Sequence, residues 1–248
     1  MTRKGCCTVI VLMKKKTAAA ICGAMVLAAA AVCVFAVHRD KPVAFPEPIT
    51  AQTVLVIDAG HGGEDGGAVS ASGVPESRIN LAIAQKMQLL LAFAGQETIM
   101  TREGEEAIYS PDAQTLREKK VSDLSNRVKL VNETAGSILL SIHQNSLPGS
   151  KVRGAQVFYN TVEPAQQIAV SVQQALNSAV NQDNGKNARQ MDDSIYLMKN
   201  IHSPGILVEC GFLSTPAEAE LLQTDDHQRR LSAAIVSGYL QSRTEKRQ

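Results

Sequence analysis

The sequence predicts an α/β domain, a single twisted and mostly parallel sheet of about six strands with helices on both faces. Three observations predict it. Val54-Leu55-Val56-Ile57, SILLSIH from Ser137 to His143, and GILVE from Gly205 to Glu209 are short apolar runs, as expected of strands buried on both faces. Between and after them, apolar residues recur at spacings of three and four, the period of amphipathic helices. The two patterns alternate along the chain, and parallel strands need such crossovers.

The first strand runs into AGHGGEDGGAV, where Gly60, Gly62, Gly63, Gly66 and Gly67 surround His61. Glycines there permit a tight turn that most residues cannot adopt. His61 is thereby placed just beyond the C-terminal end of a core strand, where open α/β sheets carry their sites. A helix is expected near Pro75 to Phe93, with Ile79, Ile83, Met87 and Leu90 or Leu91 on one stripe and Gly95 past its end. Glu76 falls in its first turn, a position that the helix dipole favours for any acid.

Residues 97–101 (ETIMT) read as a short strand. A second helix follows from about Thr115 to Asn132, with Val121, Leu124, Val128 and Val131 as its apolar face. Arg127 on this helix can reach a substrate carboxylate, or it pairs with Asp123 four residues earlier. Gly136 stops the helix, and the strand 137–143 closes on His143 in SIHQNS. Asn145 and Ser146 are candidates to orient His143 or bind substrate amides. Residues 153–159 read as a strand, and Pro164 opens a helix carrying Ile168, Val172, Leu176 and Val180. SIYLM, Ser194 to Met198, reads as a short strand, and His202 as a loop histidine. GILVE is then a buried strand ending on Glu209. A carboxylate ending such a run needs a partner. Cys210 reads as a small buried residue, 216–222 and 225–242 as closing helices, and His227 as part of a solvated face.

The beginning of the chain has another character. Arg3, Lys4, Lys14, Lys15 and Lys16 precede Thr17 to Val37, an uncharged apolar stretch. About 20 apolar residues suffice to cross a bilayer. Its basic flank places residues 1–16 in the cytoplasm and the C-terminal domain outside it. The length of the stretch and the lack of an A-x-A site favour an uncleaved anchor over a cleaved signal peptide. Residues 38–52, with three prolines, form a linker, and 53–242 form the folded domain.

The formal charge of +1 conceals this division, because five of the 25 basic residues lie in the first 37 residues, which contain no acid. Beyond residue 37, 20 basic residues face 24 acidic ones. That balance gives no electrostatic case for nucleic acid. Four of the five cysteines precede residue 38. Cys210 is left alone, so the domain holds no internal disulfide.

Two histidines and a carboxylate suit a catalytic zinc, and a further carboxylate suits its general base. His61, Glu76 and His143 form the candidate ligand set and Glu209 the candidate base. Asp58 is a candidate acceptor to fix an imidazole tautomer. The spacings match no compact metal motif. A serine hydrolase of the α/β type needs a G-x-S-x-G elbow, which is missing, and the glycine turn lacks the G-K-[ST] of a P-loop.

Together IDAGHGGEDGGA, PESRINLA, SIHQNS and LVECGFLSTPAEAELL resemble the zinc-dependent N-acetylmuramoyl-L-alanine amidases (type 3) of bacterial cell walls. The resemblance covers residues 53–242. It implies zinc on His61, Glu76 and His143, catalysis by Glu209, and cleavage between muramic acid and the L-alanine of the stem peptide. YSPD, DLSNRVKLVN and SIYLMKNIHSPGILVECGFLS further resemble the germination-specific amidases of spore formers. These are membrane-anchored and, with a peptidoglycan deacetylase, make the muramic-δ-lactam of spore cortex. Ser77 and Gln144 depart from the usual pattern. Residues 160–205 leave no room for an inserted autoinhibitory helix, so control falls to an outside protein activator. Competing functions are a vegetative autolysin, a zinc peptidase acting on stem peptides, and a tethered peptidoglycan- or partner-binding protein without turnover.

Overall fold

The computed structural model describes residues 53–147, 149, 151–192 and 194–244. The expected anchor, basic tail and linker lie outside these residues. Among the described residues, no helix is long and apolar enough to cross a membrane.

The chain runs β1 (Val54–Ala59), α1 (Glu76–Phe93), β2 (Thr98–Met100), α2 (Leu116–Glu133), β3 (Ser137–Asn145) and β4 (Gln156–Tyr159). It continues through α3 (Ala165–Ala179), β5 (Arg189–Gln190), α4 (Tyr196–Asn200), β6 (Gly205–Phe212), α5 (Pro216–Leu222) and α6 (Asp225–Thr244). One six-stranded sheet has the order β2-β1-β3-β6-β4-β5. All neighbours are parallel except β4 and β6. From β1 the chain steps to β2 on one side, then crosses to β3 on the other. The crevice beyond the strand ends between β1 and β3 is therefore a topological switch point.

Strand alternation sorts side chains onto two faces. Leu55, Ile57, Ile138, Leu140, Ile206 and Val208 meet α1, α3 and α6 in the larger core. Val56, Leu139 and Leu207 meet Val131 of α2 and Leu197, Met198 and Ile201 around α4 in the smaller one. Continuing this second face by steps of two brings Asp58, Ser141, His143 and Glu209 to its upper edge. Here the apolar layer gives way to polar groups.

Several expectations need correction. SIYLM is not a strand, since Tyr196–Asn200 is helical and the fifth strand is Arg189–Gln190. Leu197, Met198 and Ile201 are buried at helical spacing, but five residues are too few for that period to be read. On α2 the buried positions are Asp123, Arg127 and Val131, whereas Val121 is 61 % exposed. Val128 and Val131 of the expected apolar face do pack on the smaller core, and the ion-paired Asp123 and Arg127 take the buried positions nearer the start of the helix. β3 continues past His143 to Asn145 through an irregularity in register, and β6 continues past Glu209 to Phe212. Neither residue ends its strand, although the two are directly opposite each other. Pro75 precedes α1 as its N-cap, and α2 starts from a capping box between Thr115 and Glu118.

Candidate metal centre

The glycine loop holds His61 at φ 62°. This left-handed conformation costs a non-glycine residue about 1–2 kcal/mol. Two arginines from other elements offset that cost by collecting the loop carbonyls. Arg102, just after β2, donates Nε to Ala59 O and His61 O at 2.9 and 2.7 Å. Its Nη2 reaches Gly60 O and Ser77 O at 3.2 and 2.7 Å, and Nη1 reaches Gly104 O at 2.8 Å. Arg127 donates to Ala59 O at 2.9 Å and His61 O at 2.7 Å. Burial, with Arg127 alongside, lowers the Arg102 pKa to about 10, so it remains a cation at neutral pH.

Glu76 enters from the first turn of α1 and is only 3 % exposed. Its Oε2 accepts from Ala68 N at 3.0 Å and its Oε1 from Gln144 N at 3.0 Å and Asn80 Nδ2 at 3.3 Å. The same Oε1 lies 2.9 Å from His143 Nδ1 and 3.4 Å from His61 Nε2. Burial alone would raise the Glu76 pKa, but the two imidazoles outweigh it and hold the carboxylate ionised. The two imidazoles meet edge to face, with centroids 5.0 Å apart.

His61 Nδ1 faces Asp65 Oδ2 at 3.1 Å, and Lys120 Nζ approaches the same oxygen at 3.1 Å. Burial would depress the His61 pKa, yet Asp65 and Glu76 together raise it to about 9. The His61 hydrogen bond, ahead of burial and Lys120, holds Asp65 well below the usual carboxylate range. Glu209 has the opposite character. Burial drives its pKa up to about 7 against the pull of His143 and His61, while Glu76 adds to the rise. Its Oε2 is buried with no hydrogen-bond partner.

The sequence-derived candidates divide into two groups. His61, Glu76 and His143 place one ligand atom each within 4.8 Å of one another, and Glu209 stands opposite His143. Asp58 and Arg127 have other duties. Asp58 accepts from Arg127 Nη1 at 2.6 Å, Ser141 Oγ at 2.6 Å and Thr101 Oγ1 at 2.9 Å. It holds Arg127 in place; Asp65 is the acceptor for an imidazole. Arg127 is 1 % exposed. Its Nε and Nη2 also bond the Asp123 carboxylate, so it is committed to the loop and its acids and does not reach for substrate. Asn145 gives its carbonyl to Leu213 N at 2.8 Å. Asp65 and Arg102 escaped the sequence reading. The first is an acid four residues after His61 in the same loop; the second is a cation directly following the short edge strand β2, which demands partners once buried.

The donor set fits a zinc ion. Two imidazoles and one carboxylate are a known catalytic zinc complement, and their separation suits one ion with bonds of about 2.0–2.2 Å. Glu209, with an unpartnered oxygen beside them, leaves a polar function still to be satisfied.

A switch-point crevice furnished with two imidazoles, an ionised carboxylate and a second carboxyl whose pKa burial raises is a candidate hydrolase-type metal centre in an α/β domain. The comparisons make the class specific. A family profile described as N-acetylmuramoyl-L-alanine amidase matches residues 55–241, and the chain belongs to that family. The germination-specific N-acetylmuramoyl-L-alanine amidase of Bacillus subtilis (strain 168) is 36 % identical over 194 residues, 78 % of this chain and 81 % of that protein. Among solved structures, the CwlD amidase from Clostridioides difficile, in complex with the GerS lipoprotein, shares 33 % identity. Its TM-score is 0.74, covering 78 % of this chain and 99 % of that one. An N-acetylmuramoyl-L-alanine amidase from Clostridium difficile 630 shares 26 %, with a TM-score of 0.65 over 77 % of this chain and 96 % of that one.

Proposed function

We propose that this chain is a zinc-dependent N-acetylmuramoyl-L-alanine amidase that hydrolyses the bond between the muramic acid lactyl group and the stem-peptide L-alanine. The observation that carries the reading is the convergence of His61, Glu76 and His143 beside Glu209 Oε2. Family membership supplies the substrate class.

His61, Glu76 and His143 hold the ion. When bound, zinc polarises the amide carbonyl and makes water a stronger acid. Glu209 takes the proton from the attacking water and delivers it to the departing nitrogen of L-alanine. Arg102 and Arg127 fix the loop that presents His61, and Asp65 sets its tautomer. Beside the loop lies a groove of about 200 Å³, lined by Gly62, Asp65, Tyr109, Leu116, Lys119 and Lys120. It offers space for substrate next to the metal ligands.

The germination-specific relative supports a role in spore germination; within it, the resemblance of the sequence suggests muramic-δ-lactam formation in the cortex together with a deacetylase. A protein partner is supported by the complex in which the CwlD relative was solved. The sequence supports residues 17–37 as an anchor and 53–242 as a catalytic domain outside the cytoplasm. The test is digestion of purified peptidoglycan by the full chain, with zinc and after chelation, read by mass spectrometry. Zinc-dependent release of peptides with free N-terminal L-alanine is expected. Cleavage within the stem peptide, or no cleavage with zinc and partner both present, overturns the reading. For the cortex role, a strain lacking the protein should make cortex without muramic-δ-lactam.

A further inference from the structure

An apolar face remains uncovered at the end of the domain away from the crevice. The last turn of α1 reads Leu89-Leu90-Leu91-Ala92-Phe93. Leu91 is fully buried, but Phe93 is 96 % exposed, Leu89 73 % and Leu90 40 %. Leu89 and Phe93 are one turn apart on the same strip. Grouped exposed apolar side chains of this kind mark a contact surface, unlike singly scattered ones.

The chain enters the domain beside this face. Thr53 O accepts from Gln96 Nε2 at 2.8 Å, and Thr53 Oγ1 accepts from Arg243 Nη2 at 2.9 Å. Gln96 follows Phe93 by three residues and is itself held by Tyr239 at 3.2 Å. Val54 pairs with Ser137 at the starts of their strands. His61 lies just beyond the other end of β1, and His143 and Glu209 lie towards the far ends of β3 and β6. The six residues of β1 separate the two ends by about 20 Å.

Upstream of Thr53 are the 15 residues 38–52, and before them the uncharged stretch Thr17–Val37. Fifteen residues reach at most about 50 Å, so the Thr53 end cannot stand farther than that from any bilayer holding the stretch, and it is the end of the domain nearest the attachment. We propose that Leu89, Leu90 and Phe93 dock on the lipid surface, with the Arg243 cation beside them at the headgroups. The catalytic crevice is thereby turned outward, away from the membrane. Aromatic and leucine side chains with a flanking cation are suited to the bilayer interface. The proposal rests on residues 17–37 being a membrane anchor.

The chain contains no tryptophan, so Phe93→Trp in the full chain gives a single reporter at a site whose exposure tolerates the change. Val121→Trp, at an exposed position of α2, serves for comparison. Each variant is reconstituted into phosphatidylethanolamine–phosphatidylglycerol vesicles, with and without dibrominated acyl chains, and flotation reports anchoring separately. The expected result is a blue-shifted Phe93→Trp emission, lost to bromolipid and shielded from iodide, while Val121→Trp remains open to iodide and unquenched. Iodide access to Phe93→Trp without bromolipid quenching in floated protein overturns the proposal. Shielding without bromolipid quenching also overturns it, and assigns the face to a second copy or a protein partner. Failure to float refutes the anchor and the docking together. A failure of the peptidoglycan assay leaves this read-out unchanged.

Discussion

Arg127 holds the carbonyl of His61 at 2.7 Å while its other nitrogens bind Asp58 and Asp123. A buried ion network thus supports the backbone of a candidate metal ligand, and stability and metal binding should fail together when it is cut. Arg127→Met is expected to cost about 3–5 kcal/mol, because it leaves two buried carboxylates unpaired. It should also weaken zinc binding. Denaturant unfolding and zinc titration check both. A raised KM with stability and zinc affinity intact would instead return Arg127 to substrate binding. Burial would raise the Asp58 pKa, but Arg127, His143 and Ser141 outweigh it and lower it below 3.8. The sign follows: Asp58 stabilises the fold above its unfolded pKa, and that contribution disappears as pH falls through its lower folded value. The acid limb of unfolding should therefore shrink in Asp58→Asn.

Gly60 and Gly67 exclude side chains for separate reasons. A Cβ at Gly60 would stand 2.2 Å from His143 Nε2, and one at Gly67 2.6 Å from Glu76 Oε2 and 2.7 Å from His61 Cδ2. Gly67 is also at φ 69°. Gly60→Ala and Gly67→Ala should each lose zinc binding, measured by metal content after dialysis. Gly73 supplies the control, since its φ is 83° but nothing lies within 4 Å of its Cβ. Gly73→Ala should show only backbone strain, about 1–3 kcal/mol, and keep its zinc.

What could be read from the chain depended on how local the cause was. The three buried strands announced themselves because both faces are apolar, and their expected ends collected His61, His143 and Glu209 into one neighbourhood, although β3 and β6 run on past the last two. Glu76 followed from its place in a helix first turn beside the glycine loop. The pairing of Arg127 with Asp123, four residues earlier, was legible as a helix spacing, but its pairing with Asp58 spans 69 residues in sequence, and no local pattern encodes that. Arg102 acts on carbonyls, which carry no sequence signature. The α4 helix was lost for a different reason: a β-like composition over five residues gives packing against α2 and β6 the deciding role.

Asp65→Asn should weaken zinc binding about 10–100-fold, the usual effect of removing the acceptor behind a ligating imidazole. The weakening comes from the loss of the group that orients the imidazole and strengthens it as a ligand. Proton competition is a separate effect: the pKa of His61 is raised to about 9 by Asp65 and Glu76, and it must be deprotonated to ligate. Zinc affinity of the parent chain should therefore climb with pH across the neutral range, and a flat profile from pH 6 to 9 would show that Asp65 and Glu76 do not hold His61 protonated in the metal-free site. In Asp65→Asn the rise should begin at lower pH, because a weaker acceptor releases the proton sooner.

Glu209 offers the sharpest kinetic signature. As a base it must be ionised, and burial sets its pKa at about 7 in the metal-free site. A cation beside it favours the carboxylate, so in the zinc-loaded enzyme the limb must fall at or below that value. Amidase activity should therefore rise with pH through one acid limb no higher than about 7, measured as kcat/KM at constant zinc occupancy. Glu209→Gln should lower kcat by about 10²–10⁴-fold and abolish the limb, while zinc content is retained, because the amide occupies the same space without accepting the proton. Glu209→Asp should keep a limb with reduced rate, since the carboxylate survives but withdraws by one methylene. A Glu209→Gln variant with its limb intact would transfer the base role to another group. Loss of zinc in that variant would instead place Glu209 among the ligands.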